Sequence, residues 1–145
     1  MTLKISHITF DAADPYAIAQ FWSAATGFAE DPETPNEQDD DETALFSVDG
    51  DSVLLFIRVP EGKATKNRVH LDWSPTDATR DEEVERLLTL GASIFDDRRN
   101  DDGTGWVVMH DPEGNEFCVE RSAAERAEVD PEPETEAEVA GIEGQ

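Results

Sequence analysis

The sequence resembles itself at a spacing of about 63 residues, and this repeat constrains the fold more than any single motif does. The matching pairs are His7 with His70, Asp14 with Asp77 and Phe21 with Val84, and, one residue out, Gly27 with Gly91 and Gly50 with Gly114. One small insertion explains why the glycine pairs are one residue out of register. Two similar halves in a chain of 145 residues predict one domain that is built from two modules.

Each half opens with a strand pattern that changes into a helix pattern. In the first half the alternating segment KISHITFDA precedes DPYAIAQFWSAATGF, in which Asp14 can cap a helix and Gly27 is placed to end it. In the second half RVHLDWS precedes a helix that Thr79 and Glu82 open with the spacing of a capping box and that Gly91 ends. Both halves therefore begin with a strand followed by a helix.

Further strand patterns follow each helix. They are TALFSV and SVLLFIRV in the first half, and ASIFDD, GWVVMH and EFCVE in the second. We predict an α+β fold of two βαβββ modules, residues 3–60 and 66–122, whose paired curved mixed sheets surround a central cleft. Because each helix covers only one face of its sheet, the other face needs a neighbour or a ligand.

The charge of the chain excludes several classes of partner. There are 35 acidic and 11 basic residues, which gives a net charge of -24. Nucleic acids and anionic membranes bind clustered Lys and Arg, so we expect neither as a partner. No apolar run reaches the roughly 18 to 20 residues of a membrane span. The single cysteine, Cys118, indicates a reducing compartment, and we expect a cytoplasmic protein.

Two acidic segments carry much of this charge. Residues 30–43 are predicted to form a long loop, and residues 123–145 an acidic disordered tail, because few apolar groups there could offset the entropy of ordering the chain. The folded domain is then residues 1–122.

Side chains alternate along a strand, so every second residue of a predicted strand faces the cleft. The segments HITFDA, HLDWS and EFCVE carry polar residues on one such face. The residues that share it are His7, Thr9, His70, Asp72, Cys118 and Glu120.

The chain resembles the vicinal-oxygen-chelate superfamily, which includes glyoxalase I, extradiol dioxygenases, fosfomycin-resistance enzymes and bleomycin-binding proteins. The segments that carry the resemblance are HITFDAADPYAIAQFWSAATGF, HLDWSPTD and GWVVMHDPEGNEFCVE. They look closest to an uncharacterised glyoxalase-like subgroup. The resemblance implies a small-molecule ligand in the cleft and a homodimer, and some relatives build their sites across a dimer.

In metal-using members of that superfamily, a ligand lies near the start of the first strand of each half. His7 and His70 match these two positions. A carboxylate from a final strand usually completes the site. Its usual position falls on Cys118, and Glu120 follows on the same strand face as ligand or as catalytic base. Two histidines and a carboxylate suit a divalent metal such as Fe(II), Mn(II), Zn(II) or Ni(II), and a Cys118 thiolate would favour zinc.

The corresponding positions of the first half, placed by matching Gly50 to Gly114, are Leu54 and Phe56, and neither side chain can bind a metal. Trp106 has a strand parity that could place it in the cleft. The residues predicted to contact a ligand are Thr9, Leu54, Phe56, Asp72, Trp106 and Cys118.

Two functional hypotheses follow from these residues. The first is a metal-dependent lyase, isomerase or dioxygenase that acts on a small oxygenated molecule. The second is a non-catalytic protein that sequesters its ligand, as bleomycin-resistance-type relatives do. Leu54, Phe56 and Cys118, which stand where metal-using relatives have acids, favour the second. Simpler roles also stay open, with Cys118 as a packing residue, Glu120 as an exposed strand end, or the whole chain as an interaction domain.

Overall fold

The structure is a computed structural model and describes residues 1–129. Its elements in chain order are β1 (Ile8–Ala12), α1 (Pro15–Thr26), β2 (Glu42–Phe46), β3 (Val53–Arg58), β4 (Leu71–Trp73), α2 (Arg80–Leu90), β5 (Ser93–Arg99), β6 (Gly105–His110), β7 (Glu116–Val119) and α3 (Ala123–Val129). The α+β class predicted from the sequence is confirmed. Among residues 1–129, no helix combines the length and the apolar character that a membrane span requires.

The strands form two mixed sheets, one from each module. Sheet one has the order β1-β3-β2, in which β1 runs parallel to β3 and β2 runs antiparallel to it. Sheet two has the order β4-β7-β6-β5, in which β4 runs parallel to β7 and the other pairs are antiparallel. The first strand of each module is thus an edge strand, which leaves β1 and β4 free to border a shared cavity.

Module one has three strands, which match its three predicted strand segments but are one fewer than a βαβββ unit has, whereas module two has the four strands predicted. The chain between α1 and β2 is the acidic segment, which supplies too few apolar side chains for a half-buried strand. It forms a loop that Asn36 anchors to β2. The Asn36 side chain donates to the Ala44 carbonyl at 2.9 Å and accepts from the Ala44 amide at 3.1 Å.

The two main helices begin and end at the predicted residues. Asp14 caps α1 with its side chain, and Thr79 and Glu82 form the predicted capping box of α2. Gly27 and Gly91 follow the helices with φ of 79° and 112°, a left-handed conformation that costs glycine little. These local signals set the helix boundaries.

One hydrophobic core joins the two modules. Phe21 and Trp22 of α1 are buried, and in sheet one they share the core with Leu54 and Phe56 of β3. On the other side, the ring of Phe117 in β7 lies 4.9 Å from Trp22 and 6.4 Å from Phe21, measured between centroids. Helix α1 therefore packs against both sheets.

The turn between β6 and β7 ties α1 to module two. The buried Asp111 carboxylate accepts hydrogen bonds from Trp22 Nε1 at 3.1 Å and from Asn115 Nδ2 at 2.9 Å. Glu113 accepts from the backbone amides of residues 13 and 14, just before α1, at 2.6 and 3.0 Å. Burial raises the pKa of Asp111, although the hydrogen bonds from Asn115 and Trp22 oppose this change. Two carboxylates thus hold α1 in place from the neighbouring module.

Residues 123–129 form α3, so the predicted disorder was wrong for this part of the tail. The overlooked signal is an S-x-x-E capping box. Ser122 Oγ accepts from the Glu125 amide at 3.1 Å, and the Glu125 carboxylate accepts from the Ser122 amide at 2.7 Å. Glu125 also accepts from the Arg80 amide at 2.8 Å, which fastens α3 to the start of α2. The predicted disorder of residues 130–145 lies outside the described residues.

Replacing Asp111 with Ala should lower the free energy of unfolding by about 2 to 4 kcal/mol, because buried donors lose their acceptor. Urea unfolding followed by tryptophan fluorescence measures this change. The control is Asp102→Ala, which removes an exposed carboxylate that caps a loop and should cost under about 1 kcal/mol. Equal losses in the two variants would contradict a special role for Asp111.

Glu125→Gln should be less stable than the native protein at neutral pH by about 1 kcal/mol. Burial acts to raise the pKa of Glu125, but the hydrogen bonds that its carboxylate accepts from Ser122 and Arg80 outweigh burial and lower this pKa. Its contribution is therefore present above about pH 4.3, the ordinary pKa of Glu, and is lost as the pH falls through the lower folded value. Thermal melts at neutral pH and at about pH 3 test this, with Glu128→Gln on the same helix as control. A difference that persists unchanged in acid would rule out the carboxylate as its source.

Candidate functional site

Three side chains with metal-binding atoms converge on sheet two. The parallel register of β4 and β7 places Asp72 opposite Cys118, and His70 immediately precedes β4. His70 Nδ1 lies 3.2 Å from Asp72 Oδ1 and 3.8 Å from Cys118 Sγ. One ligand atom from each of the three residues lies within 4.8 Å of the other two. We call His70, Asp72 and Cys118 the donor group.

The donor group has an exposed rim and a buried base. His70 and Asp72 are exposed, whereas Cys118 is buried. Burial raises the pKa of the Cys118 thiol to about 12, and the hydrogen bond and charge of Asp72, together with the charge of Glu120, contribute to the rise. The thiol is therefore protonated at neutral pH. A cation bound here would lower the pKa of Cys118, because its positive charge would stabilise the thiolate next to the carboxylates of Asp72 and Glu120.

A cavity of about 560 Å³ has His70 in its lining, but neither Asp72 nor Cys118. It lies between the edge strands β1 and β4, and residues 61–65, which belong to the segment between the modules, also line it. Phe10, Trp22 and Phe117 give it aromatic walls, and His70 contributes to its lining. The volume suits a drug-sized ligand. His70 therefore belongs both to the cavity and to the donor group.

Lys63 and Lys66, in the loop between β3 and β4, both meet a buried carboxylate at this cavity. Glu116 lies 3.3 Å from Lys63 Nζ and 3.7 Å from Lys66 Nζ, and it accepts from the Asn67 amide at 2.6 Å. Burial acts to raise the pKa of Glu116, but the hydrogen bond from Asn67 and the nearby lysines outweigh burial and lower this pKa. Glu116 is thus an anchored anion that holds the connecting segment against β7, and it is not a free base.

Of the predicted metal ligands His7, His70 and Glu120, only His70 is a member of the donor group. His7 is exposed and immediately precedes β1. Glu120 follows β7, and its Oε2 lies 3.8 Å from Nη1 of Arg126 in α3. Metal binding by His7 and Glu120 therefore stays a prediction. Thr9, predicted to contact a ligand, lines the cavity.

The prediction that Leu54 and Phe56 face the cleft was wrong. Both side chains are fully buried in the core, on the face of β3 that packs against α1. The prediction aligned Gly50 with Gly114, and this alignment places β3 one residue out of step with its counterpart β7. A slip of one residue moves every side chain of a strand to the opposite face.

The strand pairing gives the correct correspondence between the modules. Thr9 is paired with Leu55 across β1 and β3, as Asp72 is paired with Cys118 across β4 and β7. Leu55 is therefore the counterpart of Cys118 in module one. A hydrocarbon side chain in that position cannot bind a metal, so the donor group has no equivalent beside Thr9.

Trp106 is 47% exposed on β6, opposite Arg98, and does not line the cavity. Its contact with a ligand stays a prediction. Glu116 and its partner Asn67 were not predicted as site residues, because they are 49 residues apart and share no local motif. Asp72 was predicted to contact a ligand and not a metal, although the H-x-D spacing places it on the same strand face as His70.

Comparison with known proteins identifies the family and the fold. The family model described as a glyoxalase-like domain matches residues 7–120. No curated protein matches the sequence at a significant level.

Several solved structures share the fold. The fosfomycin resistance protein FosX from Mesorhizobium loti is 21% identical, with a TM-score of 0.61 over 88% of this chain and 99% of that one. A glyoxalase/bleomycin resistance protein/dioxygenase family enzyme from Burkholderia phytofirmans PsJN is 18% identical, with a TM-score of 0.62 over 81% and 97%. A FosX mutant from Listeria monocytogenes, complexed with Mn(II) and 1S,2S-dihydroxypropylphosphonic acid, is 17% identical, with a TM-score of 0.64 over 88% and 97%.

The alkylation of Cys118 by iodoacetamide should be slow at neutral pH and should accelerate only in strong alkali, because the thiolate reacts and the pKa is about 12. Asp72→Asn removes one neighbouring charge, so its alkylation should accelerate at a lower pH than in the native protein. Cys118 is the only cysteine, so intact-mass spectrometry follows the reaction directly. The control is Asp96→Asn on β5, which should leave the profile unchanged. Fast alkylation of the native protein at neutral pH would refute the raised pKa.

Proposed function

The chain belongs to the glyoxalase-like domain family of the vicinal-oxygen-chelate superfamily, and from this premise we propose that it is a divalent-metal-dependent enzyme for a small oxygenated molecule. The reaction would be that of a lyase, isomerase or dioxygenase. One observation carries the proposal. His70 is shared between the donor group and the cavity of about 560 Å³, so a metal bound there would meet a ligand held between β1 and β4.

The donor set fits a divalent transition metal. An imidazole nitrogen, a carboxylate oxygen and a sulfur lie within 4.8 Å of one another, and this mixture suits zinc, with Fe(II), Mn(II) and Ni(II) as alternatives. Mn(II) has further support because one FosX protein of similar fold is complexed with it. When bound, such a metal supplies a Lewis acid that polarises a ligand oxygen and stabilises negative charge on it.

Residues of the chain have separate roles in this proposal. His70 and Asp72 would hold the metal at the rim, and Phe10, Trp22 and Phe117, which line the cavity, would enclose the apolar part of the ligand. Glu120 is our candidate base, because it lies near enough to Cys118 for its charge to raise the thiol pKa, and its carboxylate is not buried. Nη1 of Arg126 lies 3.8 Å from this carboxylate and pairs with it.

A second candidate function, ligand sequestration without catalysis, is favoured by the state of Cys118. A thiol with a pKa of about 12 is protonated at neutral pH, so it is a poor metal ligand until a metal displaces its proton. If no metal binds strongly enough to displace the thiol proton, the aromatic cavity can still hold a small molecule. Metal content therefore separates the two candidate functions.

We also propose a homodimer in the cytoplasm. Trp106 and Phe95 are large, exposed side chains on sheet two, and burying them against a second copy would remove apolar surface from water. A single buried cysteine supports a reducing compartment.

The experiment that tests the proposed function measures metal binding in the full chain, purified without an affinity tag. Titration calorimetry with Zn(II), Mn(II), Fe(II) and Ni(II), together with elemental analysis, should give about one metal per chain. His70→Ala should weaken binding by about 100-fold or more, because it removes a ligand outright. The matched control is His110→Ala, a histidine on β6 that stacks on Phe95 at 4.4 Å and is not in the donor group.

Each outcome decides between the candidate functions. Stoichiometric metal that is lost in His70→Ala and kept in His110→Ala supports the enzyme, and it justifies assays with dicarbonyl and catechol-like substrates. Negligible metal in the native protein, or equal uptake in all three proteins, would overturn the proposed metal site. Ligand sequestration would then be the remaining function for the cavity.

A further inference from the structure

A second cavity, of about 610 Å³, lies away from the donor group, between the end of α1 and the start of α2. Its walls include residues 24–28 of α1 and the following turn, and residues 73–78, which lead from β4 to α2. Because side chains alternate along β4, Trp73 faces this side of the strand and Asp72 faces the other. The second cavity is therefore separate from the proposed metal site.

Aromatic rings form much of the wall. Trp73 lies between Trp22 and Phe28, with ring centroids at 5.6 and 6.2 Å, and all three residues line the cavity. Flat apolar rings favour a planar apolar ligand, because stacking adds to the burial of apolar area. The shape and the chemistry of the wall both suit an aromatic molecule.

Trp73, one of the lining residues, carries a buried hydrogen-bond donor. Within residues 1–129, Trp73 Nε1 is buried and has no hydrogen-bond partner, whereas the indole of Trp22 bonds Asp111. A buried donor without an acceptor is unfavourable, and indole can only donate. A ligand with an acceptor oxygen beside Trp73 would satisfy this group.

Arg86, the one basic residue that lines this cavity, is already engaged with other groups. Arg86 Nε donates to Glu83 at 3.0 Å, and its two terminal nitrogens donate to the carbonyls of Ala24 and Ala25 at 2.9 and 2.8 Å. Arg86 therefore ties α2 to the end of α1 and fixes the distance between the two walls. With its guanidinium committed to these partners, it is poorly placed to receive an anionic ligand.

We propose that this cavity is a second ligand site that takes an uncharged aromatic compound with a carbonyl oxygen, and that Trp73 Nε1 donates to this oxygen. The site requires no metal, and it is independent of the function proposed for the donor group. Its specificity comes from the aromatic walls, from one indole donor and from the absence of an available cation among the residues that line it.

The probe for this site is 6-propionyl-2-(dimethylamino)naphthalene, an uncharged fluorescent ketone. Titration into the full chain should give saturable binding with a blue shift of the probe emission. In a proton–nitrogen correlation spectrum, the indole signal of Trp73, assigned from Trp73→Phe, should move downfield as a hydrogen bond forms. The signal of Trp106, which lies outside the cavity, should not move.

Two variants test the site from different directions. Trp73→Phe keeps an aromatic wall but removes the donor, and it should weaken binding by about tenfold. Ala25→Leu fills the cavity and should abolish binding, with a thermal melt to show that the variant is folded. Trp106→Phe and His70→Ala are the controls, and both should bind the probe as the native protein does.

The proposal is overturned by either of two results. One is the lack of saturable binding by the native protein up to the solubility of the probe. The other is binding that is the same in Trp73→Phe and Ala25→Leu as in the native protein, which would place the probe elsewhere. If His70→Ala loses probe binding and Trp73→Phe keeps it, the probe binds in the first cavity, and this result would also overturn the proposal of a second site.

Discussion

Trp22 is the side chain on which both modules and both cavities depend. It belongs to α1 in module one, yet its indole donates to Asp111 and its ring lies 4.9 Å from Phe117, both in module two. It also lines each of the two cavities. Because an unpaired buried indole donor costs about 1 to 3 kcal/mol, the bond to Asp111 fixes where α1 lies. The position of α1 in turn sets the gap between β1 and β4, and this gap is the first cavity.

The features that the sequence predicted well are those with local causes. The ends of α1 and α2 follow from Asp14, the Thr79 capping box and the glycines after each helix, all within a few residues of the boundary. Helix α3 has an equally local signal in Ser122 and Glu125, but the acidic composition of the tail outweighed it in the prediction. Composition describes a segment on average, whereas a capping box acts at one residue.

Strand number and register depend on distant partners, and there the sequence prediction failed. The acidic segment was predicted to form a loop, and it has too few apolar side chains for the additional strand that a βαβββ unit would need before β2. The register of β3 is set by its pairing with β1, but the prediction placed it by matching Gly50 to Gly114, two turn residues. The resulting slip of one residue was enough to move Leu54 from the core into the predicted cleft.

The candidate site shows the same division between local and distant causes. Alternation along β4 predicted that His70 and Asp72 share a face, and the parallel pairing with β7 brings Cys118 to them. The repeat places His7 at the matching position of module one, but the neighbouring strand there offers Leu55 in place of a donor. A metal needs several donors, so module one has no donor group of its own, and the binding of one metal by His7 together with His70 stays a prediction.

The chain has only 11 Lys and Arg residues, and several of them join separate elements of the structure. Arg80 donates to three backbone carbonyls of residues 103–105, Arg86 joins α2 to α1, and the lysines of the connecting segment meet Glu116. A ligand that enters the first cavity therefore meets lysines that are already paired with a buried carboxylate. A metal held by His70, Asp72 and Cys118, as we propose, would supply this cavity with a positive charge that is not already paired with Glu116. The shortage of unpaired cations at the cavity is therefore an argument in favour of the proposed metal site.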